Sequence, residues 1–171
     1  MSTYNLRQIT DALWKTGQKP EEQAESERLY DRARMLRDRG LIQSSRITWQ
    51  GKTMMFTEPD VVAAVLAITA SLNGSSWGTI QALNQDLRKV GNTLGKPEFE
   101  RVINDIRDGV ELFVRLDIFS NPWPGTQAII GDSSSVSFDE WPRPAGTTEV
   151  KLWPITDIAK PVLDYLSEQA A

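Results

Sequence analysis

"RLYDRARMLRDRGLIQSSRITWQGKTMMFTEPD", residues 28–60, decides how the chain is read. Its first nineteen positions hold six arginines, Arg28, Arg32, Arg34, Arg37, Arg39 and Arg46, balanced only by Asp31 and Asp38, in a chain whose net charge is −4. Leu29, Ala33 and Leu36 recur at helical spacing and Gly40 stops the pattern, which predicts an amphipathic helix with an arginine-rich exposed side. Two short segments rich in Ile, Trp, Met and Phe then flank Gln50-Gly51-Lys52, the pattern of a β-hairpin with Gly51 at its tip. Thr57 before Glu58-Pro59-Asp60 opens the next helix, with a capping hydroxyl and a proline in the first turn.

The flanks extend this order. Upstream, Leu6, Ile9, Leu13 and Trp14 predict a helix that Gly17 ends. Pro20 with Glu21, Glu22 and Glu25 marks the start of the arginine helix, with acids at the positive end of its dipole. Downstream, Val61, Val62, Val65, Leu66 and Ile68 give one apolar face. Asn73-Gly74 then breaks the chain, and Ser75 or Ser76 starts a helix striped by Trp77, Ile80, Leu83 and Leu87. Helix, arginine helix, hairpin, helix, helix is the order of a winged helix-turn-helix with accessory helices.

"GNTLGKP", residues 91–97, reads as a joint between residues 1–92 and 97–171. Phe99, Val102, Ile103 and Ile106 stripe a further helix. Val110, Leu112, Val114, Leu116 and Ile118 alternate with polar residues, so a strand after Gly109 is favoured over a continued helix. "TQAIIGD" (126–132), "SVSFDEW" (135–141) and "TEVKLWPI" (148–155) are further strand segments, and residues 155–169 close as a helix with Pro161 early in it or kinking it. The expected fold class is α+β: an N-terminal winged helix-turn-helix, then a small C-terminal module of helix, short antiparallel strands and a terminal helix.

Composition narrows the chemistry. With no Cys and no His, disulfides, thiol nucleophiles, serine triads and ordinary zinc sites are excluded. The acids form no metal-ligating loop and no phosphate-binding glycine motif is present, so neither an enzyme nor a metal or cofactor is expected. "VVAAVLAITA" is too short to span a bilayer and the N-terminus lacks a signal-peptide pattern, so a cytoplasmic protein is expected. Residues 1–58 carry ten basic and eight acidic groups, whereas residues 101–171 carry six and eleven. That split suggests a basic contact surface in front and a different task behind.

Residues about 6–90 resemble the DNA-binding domain of the MerR superfamily. The resemblance rests on Arg34 six residues before Gly40-Leu41, then Arg46, Gly51-Lys52, Phe56, Thr57-Glu58-Pro59-Asp60 and the Gly74–Ile80 segment "GSSWGTI". The acidic segment 18–27 departs from that pattern, being longer than the family's turn. The resemblance implies a homodimer on an inverted-repeat operator in double-stranded DNA.

The chain is therefore expected to be a sequence-specific transcriptional regulator. Arg34, Arg46 and Lys52 are assigned to phosphates and Arg28 to base edges, with Arg32, Arg37 and Arg39 completing the surface. The plain alternative for these arginines is a solvated face paired with Asp31 and Asp38. Trp14 and Trp77 are expected in the core, Trp49 against the helices, and Trp123, Trp141 and Trp153 in a small C-terminal core. The helix at 97–108 is nominated for dimerisation, and the C-terminal module for a protein partner or small ligand. Two other functions fit the same features: a DNA architectural or packaging protein of the excisionase or small-terminase kind, and a protein-interaction module without DNA.

Overall fold

Asn5 starts the first helix by exchanging hydrogen bonds with Gln8: the Gln8 amide donates to Asn5 Oδ1 at 2.9 Å and the Asn5 amide to Gln8 Oε1 at 2.9 Å. The structure, a computed structural model, describes residues 2–17, 23–44, 48–50, 53–91, 95–121, 123–133 and 141–170. Among these, β1 (Tyr4–Asn5) leads into α1 (Leu6–Lys15) and α2 (Gln23–Asp38). The hairpin strands β2 (Thr48–Gln50) and β3 (Thr53–Phe56) follow, then α3 (Glu58–Leu72), α4 (Trp77–Leu87) and α5 (Glu98–Asp108). Three strands, β4 (Phe113–Phe119), β5 (Gly125–Gly131) and β6 (Thr147–Trp153), precede α6 (Ile155–Ala170). The protein is thus mixed α+β, with six helices and two three-stranded antiparallel sheets among the described residues.

Local chemistry sets these boundaries. Thr57 and Asp60 cap α3 together: Asp60 Oδ2 accepts from the Thr57 amide at 3.0 Å and from its hydroxyl at 2.8 Å. Ser76 Oγ accepts the Thr79 amide at 3.1 Å and starts α4. Gly40 ends α2 at φ 73°, where the Leu41 amide reaches back to the Leu36 carbonyl at 2.8 Å. Gly109 ends α5 in the same way at φ 78°, with the Val110 amide on the Asp105 carbonyl at 2.9 Å. A side chain at either position would strain this left-handed turn. Because α5 stops at Gly109, the alternating residues beyond it are free to extend, and β4 is the strand favoured from the sequence.

The N-terminal sheet has the order β1-β3-β2, with Tyr4 opposite Phe56 and Met54 opposite Trp49. The hairpin expected around Gly51 therefore pairs as β2–β3, while Gly51 and the side chain of Trp49 lie outside the described residues. The second sheet has the order β5-β4-β6. Val114 and Leu116 of β4 are buried on the side that meets α6. The tie between the two is hydroxyl-mediated: the Leu112 amide donates to Thr156 Oγ1 at 3.1 Å, and that hydroxyl donates to the Val110 carbonyl at 2.6 Å.

A single apolar core runs from Tyr4 to Leu166, so residues of 1–92 and 97–171 share it. Its axis is α3, buried from Asp60 to Ile68 and again at Ala70 and Ser71. The sequence led us to expect one apolar face; instead α3 is enclosed by α1, α2, α4, α5 and α6. A helix that is apolar all round must be covered all round. The tryptophans also depart from expectation. Trp153 is buried, but Trp123 is 77 % exposed and Trp141 is exposed as well, so they form no joint C-terminal core. Trp14 and Trp77 are partly buried against the main core. The strand expected at 135–141 and the start of α2 near Pro20 fall outside the described residues. No helix among the described residues is long and apolar enough to cross a membrane.

The opposite face of β4 carries a buried ion pair, Arg115 Nη2 to Asp117 Oδ2 at 2.9 Å, with Arg115 1 % and Asp117 0 % exposed at the side chain. Arg115 also donates to the Trp141 carbonyl at 2.8 Å. Removing one partner of a buried pair leaves a charge stranded in a poorly polarisable interior. Arg115→Ala, which leaves the Asp117 carboxylate buried without its cation, should therefore cost about 3–5 kcal/mol in urea unfolding. Asp164→Asn, which breaks the half-buried Lys160–Asp164 pair one helical turn apart, should cost less, about 0.5 kcal/mol.

Candidate nucleic-acid interface

Leu29, Ala33 and Leu36 seat α2 on the core, and helical periodicity divides the rest of its surface. Glu27, Asp31, Arg34 and Asp38, spaced i, i+4, i+7 and i+11, form the strip farthest from the core; all four are exposed. Arg28, Arg32, Met35 and Arg39 form a second strip on one flank, and Tyr30 and Arg37 lie on the other. The arginines of the sequence motif therefore do not make one patch. They occupy the outermost strip and both flanks.

Each has its own surroundings. Arg32 donates to Ser71 Oγ at 3.0 Å at the end of α3. The Arg39 guanidinium lies 3.1 Å from the centre of the Trp77 ring. Arg34 pairs with Asp31 at 3.2 Å, one turn away, and Arg37 with Asp38 at 2.7 Å. Arg28 is exposed and has no hydrogen-bond or ion-pair partner among the described residues. Arg46 and Lys52, the two basic residues of the loop and hairpin tip, lie outside the described residues. The pairing with Asp31 and Asp38 anticipated for a solvated face thus holds for Arg34 and Arg37, and does not for Arg32 and Arg39.

Two groups went unnoticed in the sequence. The first is Arg7 with Tyr30. Arg7 pairs with Glu27 at 2.8 Å and lies 3.8 Å over the Tyr30 ring. Its hydrogen bond to Glu27 raises its pKa above the ordinary guanidinium value, so it stays charged at any relevant pH. With Arg37, Thr53 and the first residues of α1, these side chains line an open groove of about 570 Å³ between α1, α2 and β3. Asp38 also lines it, and both guanidinium groups bordering it are already paired, Arg7 with Glu27 and Arg37 with Asp38.

The second group fixes the hairpin. Arg88 Nη2 donates to the Gln43 carbonyl at 2.8 Å and Nε to Asn84 Oδ1 at 2.8 Å, while Nη1 meets Asp60 at 3.3 Å. Asn84 Nδ2 donates to the Leu41 carbonyl at 3.0 Å, and Ser44 Oγ to the Met55 carbonyl at 2.8 Å. Residues 41–43, just after α2, are therefore held by Asn84 of α4 and by Arg88 at its C-terminal end. The sequence signal was faint: Asn84 is a polar residue beside Leu83 and Leu87 on the inward side of α4. No protein-family model matches the chain, and no curated protein sequence matches it.

Asn84→Ala removes the donor to the buried Leu41 carbonyl, and Arg88→Ala removes the cation beside the buried Asp60 carboxylate. Each should cost about 1–3 kcal/mol. Hydrogen exchange should speed up at residues 41–44 and remain unchanged in α6.

Proposed function

We propose that the chain is a sequence-specific DNA-binding regulator, with residues up to about 90 acting as a winged helix-turn-helix of the MerR kind. The observation that carries this reading is the strand order β1-β3-β2 with α1 and α2 threaded between β1 and the hairpin. That order supports reading α1 and α2 as a helix-turn-helix with the β2–β3 hairpin as its wing.

In this reading α2 enters the major groove. A helix lying there turns its outermost strip to the base edges and its two flanks to the two phosphate backbones. Helix phase therefore reassigns two roles. Arg34 approaches the bases with Asp31 and Asp38, whereas Arg28 and Arg39 on one flank, and Arg37 with Arg7 on the other, approach phosphates. Arg32, tied to Ser71, supports the flank. Arg46 and Lys52 remain assigned to phosphates from the sequence.

The carboxylates make the interface selective. Asp and Glu repel phosphates and find favourable partners in DNA mainly at base amino groups such as cytosine N4. Generic binding to the backbone is thereby penalised, and affinity comes to depend on the correct bases. A second reading, a protein-contacting winged helix, draws on the same feature, because a strip of three carboxylates and one arginine also suits a protein surface.

Gel shift of genomic fragments at two salt concentrations separates these readings. The regulator should bind a discrete fragment, weaken steeply with salt, and lose the complex in Arg34→Glu/Lys52→Glu. Uniform, salt-sensitive binding to every fragment would instead support an architectural or packaging protein. Absence of binding at low salt would leave the protein-contacting reading. Asp31→Asn/Asp38→Asn should raise affinity for random DNA while narrowing the gap between cognate and random sequence, measured by fluorescence anisotropy.

A further inference from the structure

Among the described residues β6 is an edge strand, paired with β4 alone. β5, at the opposite side of the sheet, is flanked by α4 and α5, with Asp86 and Lys89 beside Thr126–Ile129. An uncovered strand presents a row of amides and carbonyls that can pair with another chain, and proteins usually blunt such a row. Residues 147–153 contain no proline; the devices present are the charges of Glu149 and Lys151 and the irregularity at Ile118/Phe119, toward the Thr147 end, so a strand pairing here must match those charges. Leu152 is 53 % exposed, and Leu72 across a groove of about 520 Å³ is equally exposed.

The sequence of β6, "TTEVKLW", complements itself when it runs antiparallel to a second copy with Val150 on the axis. Glu149 then faces Lys151 of the second copy, and Lys151 faces Glu149 of the second copy. Within one chain, Lys151 Nζ already lies 3.1 Å from Glu149 Oε1. Across the axis the four side chains form a ring of alternating charge, the favourable arrangement for opposed cross-strand residues. Thr148 falls opposite Leu152 of the second copy.

We infer that the chain dimerises through β6, joining two three-stranded sheets into one of six strands with the order β5-β4-β6-β6-β4-β5. The occupant of the edge is a second copy of this chain, because the charge pattern matches the same segment reversed. A two-fold axis makes each contact count twice. This interface supplies the dimer that the proposed regulator needs, and it rests on that reading only for the need. α5, nominated for dimerisation from the sequence, has Phe99 and Ile106 buried in its own chain's core.

Charge reversal with mixing tests it. Sedimentation velocity on the full chain should show a dimer at micromolar concentration. Glu149→Lys and Lys151→Glu should each weaken self-association at least about tenfold, because two attractive pairs become repulsive across the axis. Mixing the two variants should restore a dimer, since the paired lysines of one variant then face the paired glutamates of the other. The double swap Glu149→Lys/Lys151→Glu should dimerise like the native chain. Both positions lie on the edge strand, and circular dichroism checks that each variant folds. A monomeric native chain, reversed variants that dimerise normally, or a mixture that stays monomeric would overturn the β6 interface. A dimer indifferent to the reversals leaves the DNA reading standing, whereas a β6 dimer that binds no DNA overturns that reading alone.

Discussion

From Asp60 to Ile68 every side chain of α3 is buried, so neighbours must be supplied on all its sides, and the rest of the fold is arranged to supply them. The N-terminal helices cover part of it, and α5 and α6 cover the rest. Its own start is also inside the protein, where a helix end with open amides would be costly. Thr57 and Asp60 meet that demand, and Arg88 balances the Asp60 charge at 3.3 Å. The same Arg88 reaches the Gln43 carbonyl. Burying one helix end thus also fixes where the hairpin emerges, which connects the centre of the core to the surface proposed to meet DNA.

Much of this could be read from local sequence because local chemistry produces it. Capping residues at 57 and 76, glycine stops at 40 and 109, and the apolar spacing of α2, α4 and α5 act within a few residues of themselves. The alternating segment after Gly109 resolved as a strand from Phe113 because Gly109 had already ended the helix. What stayed hidden required partners distant in the chain. β1 is two residues long, too short for any period, and exists because Phe56 and Met55 lie opposite. The run "VVAAVLAITA" could be seen as apolar, but whether one face or all faces would be covered depends on α6, nearly a hundred positions later.

The arginines show the same division. Their number and helical phase were plain in the sequence, yet their surroundings were not. Arg32 ends on Ser71 and Arg39 over Trp77, contacts that span 39 and 38 positions of sequence. The consequence is a helix with cations on both shoulders and carboxylates at its crest. Such a profile is poorly matched to a uniform anionic rod and well matched to a surface whose polarity alternates across its width. In the proposed reading that surface is a major groove between two phosphate ridges.

The enclosure of α3 also has a consequence in time. As the chain leaves the ribosome, α3 appears well before α6, whose Ile155 to Leu166 cover one of its sides. At typical elongation rates that gap lasts on the order of 5–20 seconds. Throughout it, twelve consecutive residues without a charge, Val61 to Leu72, remain only partly sheltered. Newborn chains are thus exposed to mispairing with one another until α6 arrives, and this sixteen-residue helix acts as a seal on a core begun some hundred residues earlier.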